Sequence, residues 1–300
     1  MQGGRALAHV VIAMAVLGFG DNLIPLISDE HGLAQFHLMR AVGALGLLAV
    51  LMPVLGRRWR LLRPGWVGLR SALISLSMVI YFGCLPLMPI SQVAAGLFSA
   101  PIFVLLAEVV LLRRPFTLRR GAAVALGFAG ILMVTGPNGP LTWLSLLPVL
   151  AGFLYGMGNL VTRERCLDED AVVLLAGFFA AMTIWAGLGL AVLGAAEIPA
   201  ESFATRGWTP PGPVLWGVIA VQIVASALSL GLLARAYQIA EASLVAVFEN
   251  VFLVFASLFA FLFWGQVPGL VAALGMVLIA AGGGIAAQRP RPIPPVETAG

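Results

Sequence analysis

The sequence predicts an all-α membrane protein with ten transmembrane helices, arranged as two inverted five-helix repeats around a central cavity. Three observations predict it. Hydrophobic residues make up 61% of the 300 and charged residues only 10%, with a mean hydropathy of +1.03. An ordinary soluble domain carries about 25% charged residues, so this chain cannot cover a water-facing surface. Apolar stretches of about 20 residues, the length that crosses a bilayer's hydrocarbon, recur along almost all of it. The arginines between those stretches fall alternately on one side only.

Taken in order, the spans are expected at 6–27, 34–55, 66–86, 90–112 and 119–135, then 141–162, 171–193, 213–235, 242–264 and 268–287. The punctuation agrees. Pro86 and Pro89, Pro115, the run Gly136–Pro140 and the run Pro210–Pro213 all fall between spans, where a helix can break without cost. The first apolar run follows Arg5 as a signal peptide's would. It is too long for one and has no small-x-small cleavage site, so it reads as the first span.

The sequence has 17 basic residues, all of them arginine, and a pI near 9.8. They sit at span ends rather than in one patch, which is a topology signal and not a nucleic-acid footprint. With ten spans, Arg5, Arg57, Arg58, Arg60, Arg63, Arg70, Arg113, Arg114, Arg119, Arg120, Arg163, Arg165, Arg235, Arg289 and Arg291 share one side. Only Arg206 lies on the other, and Arg40 is inside a span. The positive-inside rule then makes both termini cytoplasmic. Cys84 in an apolar run and Cys166 in a charged loop form neither a disulfide framework nor a metal spacing.

An odd number of spans per half forces a duplicated half to enter the membrane the opposite way. The halves are placed at 1–137 and 138–288, with a cytoplasmic tail at 289–300. Gly18-Phe19-Gly20-Asp21-Asn22 echoes Gly156-Met157-Gly158-Asn159, and at an offset of 152 Gly130 meets Gly282 and Ala123 meets Gly275.

Several stretches carry a family resemblance over nearly the whole chain. They are Arg40, Tyr81-Phe82-Gly83 through Pro101 to Arg114, Ala234-Arg235-Ala236-Tyr237, Ala242-Ser243-Leu244-Val245-Ala246, and Trp264-Gly265-Gln266 followed by Gly275 and Gly282. In their order and spacing the chain resembles the drug/metabolite transporter superfamily, in particular its EamA-type ten-helix exporters. It departs from that pattern at Arg114 and Gln266, where members usually carry Glu. The resemblance implies a cavity lined by spans 1, 3, 4, 6, 8 and 9, with spans 5 and 10 as scaffold. It also implies export of amino acids, aromatic ones included.

Polar residues in an apolar bundle are costly unless used or paired, so their faces mark the candidate lining. The substrate-binding candidates are Asn22, Met78, Tyr81, Phe98, Ser99, Tyr155, Asn159, Gln222, Ser226, Glu249 and Asn250. Met14 and Gln92 adjoin them. For any single small or hydroxyl residue, plain helix packing is the competing reading. Asp21 and Arg40 lie at similar depth and are expected to form a gating or structural pair. Glu108 is expected to bind the nearby arginines. Glu249, deeper in its span, is the candidate for a proton or a substrate ammonium, against a structural hydrogen-bonding role. Gly121, Ala125, Ala129, Ala280 and Gly284 form small-xxx-small patterns on spans 5 and 10. They suit internal packing, with a homodimer as the alternative.

These features predict a bacterial-type inner-membrane carrier working by alternating access on a small molecule, with lipid around it. No nucleic acid, cofactor or metal is expected. An aromatic, Met-bearing lining with few fixed charges suits amphipathic organic solutes, most of all aromatic or other hydrophobic amino acids. A multidrug or purine-derivative exporter is the alternative. A channel would need a filter motif or a ring of like groups. An enzyme would need a nucleophile–base set or paired carboxylates at membrane depth. The sequence contains neither.

Overall fold

The computed structural model describes residues 2–54, 56, 59–84, 90–135, 143–196 and 198–287. Among them there is no strand, and the α-helices are α1 (Gln2–Asp21), α2 (Leu33–Val54), α3 (Pro64–Cys84), α4 (Ile90–Leu97), α5 (Ala100–Val110) and α6 (Leu118–Thr135). Then come α7 (Leu146–Arg165), α8 (Ala171–Ala195), α9 (Pro213–Ile239), α10 (Ala242–Glu249), α11 (Phe252–Trp264) and α12 (Leu270–Ala287). The proposed boundary at 137/138 and the tail lie outside the described residues.

The local sequence sets these limits. Pro64 and Pro213 open α3 and α9 at a position where the missing N–H is not needed. Asp170 caps α8 by accepting from the Val172 N–H at 3.0 Å. Gly265 ends α11 in the left-handed region at φ +65°, which costs glycine nothing.

Seven segments are long and apolar enough to cross a membrane: Gly4–Leu26, Leu33–Val54, Pro64–Cys84, Val93–Val110, Ala171–Ala195, Pro213–Ile239 and Ala242–Trp264. Of the ten expected spans, three fall outside that set. α6 and α7 carry arginines in their end turns, and Leu270–Ala286 is apolar but shorter. Two expected spans are broken in the middle. Between α4 and α5 the backbone tightens to bonds three residues apart, as in Ser99 N–H to Gly96 O at 3.2 Å, and Pro101 follows without an N–H. α10 and α11 are parted by the same kind of turn at Asn250-Val251.

The helices pack in reciprocal pairs. α1 lies on α9 and α3 on α7; α1 also touches α10 and α11, as α7 touches α4 and α5. α2 packs on α8 and α9, and α8 packs on α2 and α3. α6 and α12 form the most extensive pair. Their seam is tight enough that a Cβ on Gly130 would lie 2.5 Å from Gly275 O, and one on Gly282 would lie 2.8 Å from Ala123 O. The expected internal packing of these helices is therefore present, but on another face. A Cβ on Gly121 would come nearest to the Phe116 ring, and one on Gly284 would have nothing within 4 Å.

The segment before α9 folds back over one end of the bundle. Leu33 N–H reaches Phe203 O at 2.7 Å, Arg206 donates to Ser28 O at 2.8 Å, and Gln35 exchanges bonds with the Thr209 backbone. This braces the α1–α2 connection opposite the end that carries most of the arginines.

Candidate functional site

A cavity with about 150 Å³ of room for the centres of water-sized molecules lies among α1–α5 and α7–α11. Met14 and Leu17 come from α1, Ile74, Met78, Tyr81 and Phe82 from α3, and Phe98 and Pro101 from the α4–α5 break. Opposite them stand Tyr155, Phe178, Ser226 and Leu230, with Ala246, Glu249, Asn250 and Phe252 around the α10–α11 break. Both broken helices thus place their breaks at the cavity wall. There Phe98 and Phe252 stack at 5.7 Å with an interplanar angle of 27°. Asp21 and Arg40 complete the lining, and Asp21 is exposed through the cavity's mouth.

Of the predicted site residues, Met78, Tyr81, Phe98, Tyr155, Ser226, Glu249, Asn250, Asp21 and Arg40 line this cavity. Four do not. Asn22 donates to Gly18 O at 2.8 Å and Ala256 O at 3.1 Å, tying α1 to α11. Gln222 donates to Gly20 O at 2.7 Å and ties α9 to α1. Ser99 satisfies Gly96 O at 2.6 Å inside the helix break. Asn159 lies deeper, in a separate pocket of about 20 Å³ shared with Arg70 and Tyr155. Asn22, Gln222 and Ser99 thus find backbone carbonyls, as polar groups in an apolar bundle must, whereas the Asn159 Nδ2 is buried without a partner among the described residues. Gln92's side chain lies outside the description.

At the cavity floor Glu249, 6% exposed, is held by two phenols from two other helices. Tyr155 of α7 donates to Oε2 at 2.6 Å, and Tyr237 of α9 donates to Oε1. Asn159 lies beside both rings. Tyr237 was legible within the stretch Ala234-Arg235-Ala236-Tyr237 that carries the family resemblance. Its pairing with Glu249 was not, because the two residues sit on different helices.

Asp21 and Arg40 face one cavity but do not form a close pair. No Arg40 nitrogen comes within 4.0 Å of an Asp21 oxygen among the described residues. Arg40 instead donates to His37 Nδ1 at 3.0 Å and lies 5.1 Å over the Phe36 ring. Arg70, placed by sequence among the loop arginines, is 5% exposed within α3. It holds Thr162 Oγ1 at 2.9 Å and Leu174 O at 2.7 Å, so it joins three helices beneath the cavity.

Below the floor, an apolar cluster brings Ala6, Val10 and Ala13 of α1 against Val104, Leu160, Leu233, Ala236 and Val245. Beyond it lies an ion network. Buried Glu108 meets Arg114 at 2.9 Å and Arg120 at 3.6 Å, Arg114 also meets Glu164 at 2.8 Å, and Arg120 pairs with Glu241. Glu108 thus binds the arginines as expected. Arg63 joins the same end, its N–H reaching Glu169 at 2.5 Å. Burial pushes the Cys166 thiol up there, against the opposing pull of Arg70.

No protein-family model matches the chain. It is similar to a riboflavin transporter of Rhizobium johnstonii, 28% identical over 70% of this chain and 66% of that protein, just under two thirds of its length. A riboflavin transporter of Brucella anthropi is 26% identical over 74% of this chain and 78% of that one, and one of Vibrio cholerae is 24% identical over 89% and 87%. A protein solved by crystallography superposes with a TM-score of 0.73 at 18% identity, covering 93% of this chain and 98% of that one. That likeness establishes the fold. With the apolar helices, the relatives support a multi-pass membrane protein that transports a small molecule, and a transporter rather than an enzyme.

Proposed function

We propose that this chain is a ten-span secondary carrier that moves a flavin-type solute, a flat fused aromatic ring bearing a polyol, across a bacterial-type inner membrane by alternating access. The observation that carries this reading is the cavity. Its wall is aromatic and Met-bearing, drawn from both the N-terminal and C-terminal helices, open at one end and closed beneath. The names of the three relatives point to the same kind of solute. They state no direction, and export enters this proposal only through the family resemblance.

The two halves at 1–137 and 138–288 belong to this proposal, and the packing supports them. If each helix of the first half is exchanged for its counterpart five spans on, the contacts of α1 with α9, α10 and α11 become those of α7 with α3, α4 and α5. The α6–α12 seam is self-complementary in the same way. The contacts Ala123 to Gly282 and Gly130 to Gly275 exchange with each other at the 152-residue offset, as in a two-fold interface. The arginine distribution supports cytoplasmic termini. Glu249 is our choice for the coupling group, because a carboxylate at the cavity floor between two phenols can exchange a proton with the cavity while staying hydrogen-bonded.

An aromatic amino acid is the second reading, favoured by the opposite charges of Asp21 and Arg40. Purified protein in liposomes preloaded with unlabelled riboflavin should accumulate labelled riboflavin by saturable counterflow, faster than phenylalanine in the matched experiment. Phenylalanine exchange without riboflavin exchange would replace the first reading by the second.

A further inference from the structure

Two opposite charges face the cavity mouth without neutralising each other. Asp21 is the last residue of α1 and has no hydrogen-bond or ion-pair partner among the described residues. A carboxylate there sits against the negative end of the helix dipole, so helix stability does not explain its place. Arg40 uses one amino group on His37, while its Nε is buried without a partner. Desolvated donors of this kind are costly unless something else satisfies them. The two groups line one cavity with no nitrogen–oxygen contact of 4.0 Å or less between them, so neither is used up by the other.

We infer that Asp21 and Arg40 read the imide edge of a planar heterocycle, Arg40 donating to a ring carbonyl and Asp21 accepting the adjacent N–H. The inference rests on the flavin-type reading and deepens it, since a flavin ring carries such an edge. A zwitterion would also meet both charges, but it concentrates its polar groups at one pole. This cavity has two. Asp21 and Arg40 stand at the mouth, Tyr155, Glu249 and Asn250 stand at depth, and the stacked Phe98 and Phe252 belong to the wall they share. An aromatic body with an imide at one place and a polyol at another uses both poles. Arginine suits this edge because its planar fork presents several donors in fixed geometry.

The test is riboflavin counterflow in proteoliposomes, challenged with N3-methylriboflavin, in which a methyl replaces the imide hydrogen, and with phenylalanine. N3-methylriboflavin should need at least about tenfold more to inhibit than riboflavin does. In Asp21→Ala riboflavin itself should weaken and the gap between the two flavins should close to within about twofold. Asp21→Ser carries the same expectation if the alanine variant folds poorly. Equal inhibition by both flavins in the parent overturns the inference and leaves the flavin reading standing. A gap that persists without the Asp21 carboxylate also overturns it, since the methyl then clashes elsewhere. Inhibition by phenylalanine that depends on both Asp21 and Arg40 assigns the pair to a zwitterion. Absence of riboflavin flux removes the reading and the inference together.

Discussion

The two ends of the bundle use charge in opposite ways. At the arginine-rich end Glu108, fully buried, is shared by Arg114 and Arg120, which are 31% and 21% exposed and reach on to Glu164 and Glu241. Those links tie α5 and the start of α6 to the end of α7 and the start of α10, over an apolar cluster drawn mainly from α1, α5, α7, α9 and α10. At the mouth, Asp21 and Arg40 are just as charged but hold no helix to another through an ion pair. Packing at that end comes from Ile27, Leu33, Phe36, Leu215 and Ile219, between α2 and α9 and the turn after α1. Where the charges satisfy each other the bundle is closed, and where they do not the cavity opens. On the proposed alternating-access reading, the first arrangement must open for the chain to reach its other state.

The sharpest way to break this comparison is to neutralise one acid at each end. Glu108→Gln leaves two partly buried guanidiniums short of a partner. Breaking a buried pair costs about 3–5 kcal/mol, but both arginines keep a second acid and some solvent, so a loss of roughly 1–3 kcal/mol is expected. Asp21→Asn removes no contact and should stay within about 0.5 kcal/mol of the parent. Thermal unfolding in detergent, followed by the loss of monodisperse protein, gives both values. Equal losses would mean that Asp21 is structural and that the two ends do not differ as described.

A second experiment sharpens the comparison at mid-depth, where Glu249 is neither solvent-facing nor paired with a cation among the described residues. Glu249→Gln keeps the size of the side chain and an acceptor for one phenol, so the fold should survive. Counterflow, which needs no net coupling, should persist at a reduced rate. Uptake driven by a pH gradient should fall to the level of gradient-free liposomes, and the pH profile of uptake should become flat. A variant that still responds to the gradient like the parent would return Glu249 to the purely structural reading, a hydrogen-bond hub for Tyr155 and Tyr237.

Much of this was legible in the sequence, and what was not has a physical cause. The helices were readable because the bilayer demands about 20 apolar residues in a row, and punctuation by proline and glycine marks their ends. The breaks at Ser99 and Asn250 were not, since Pro101 and the polar pair Glu249-Asn250 that accompany them are also tolerated within unbroken membrane helices. Large aromatic and sulfur side chains were the best guide to the lining. Met78, Tyr81, Phe98 and Tyr155 have few other uses on a face turned inward. Amides and hydroxyls misled, because Asn22, Gln222 and Ser99 could satisfy themselves on nearby carbonyls, which the spacing along one helix does not reveal. Arg70 was missed for a related reason. Its partners Thr162 and Leu174 lie on α7 and α8, about 90 to 100 residues away in sequence.

The smallest effect concerns the sidedness of the two ends. If the arginine-rich end is cytoplasmic, a cysteine placed at Asp29 or Arg206, at the mouth end, should react with an impermeant thiol reagent added outside right-side-out membranes. A cysteine at Arg60, exposed at the other end, should react only after the membrane is opened. Cys166 supplies the internal control, and its expected signal is close to nothing on either side. It is fully buried, and burial pushes its thiol up, so little thiolate is present and little of it is reachable. Cys84, 1% exposed at the end of α3, should be equally silent on packing grounds. Both native cysteines should become reactive only on denaturation. Labelling at Arg60→Cys from the outside would invert the sidedness of both ends. Labelling of Cys166 in the folded protein would show that the packing of Val67, Leu174 and Ala234 around it opens on its own.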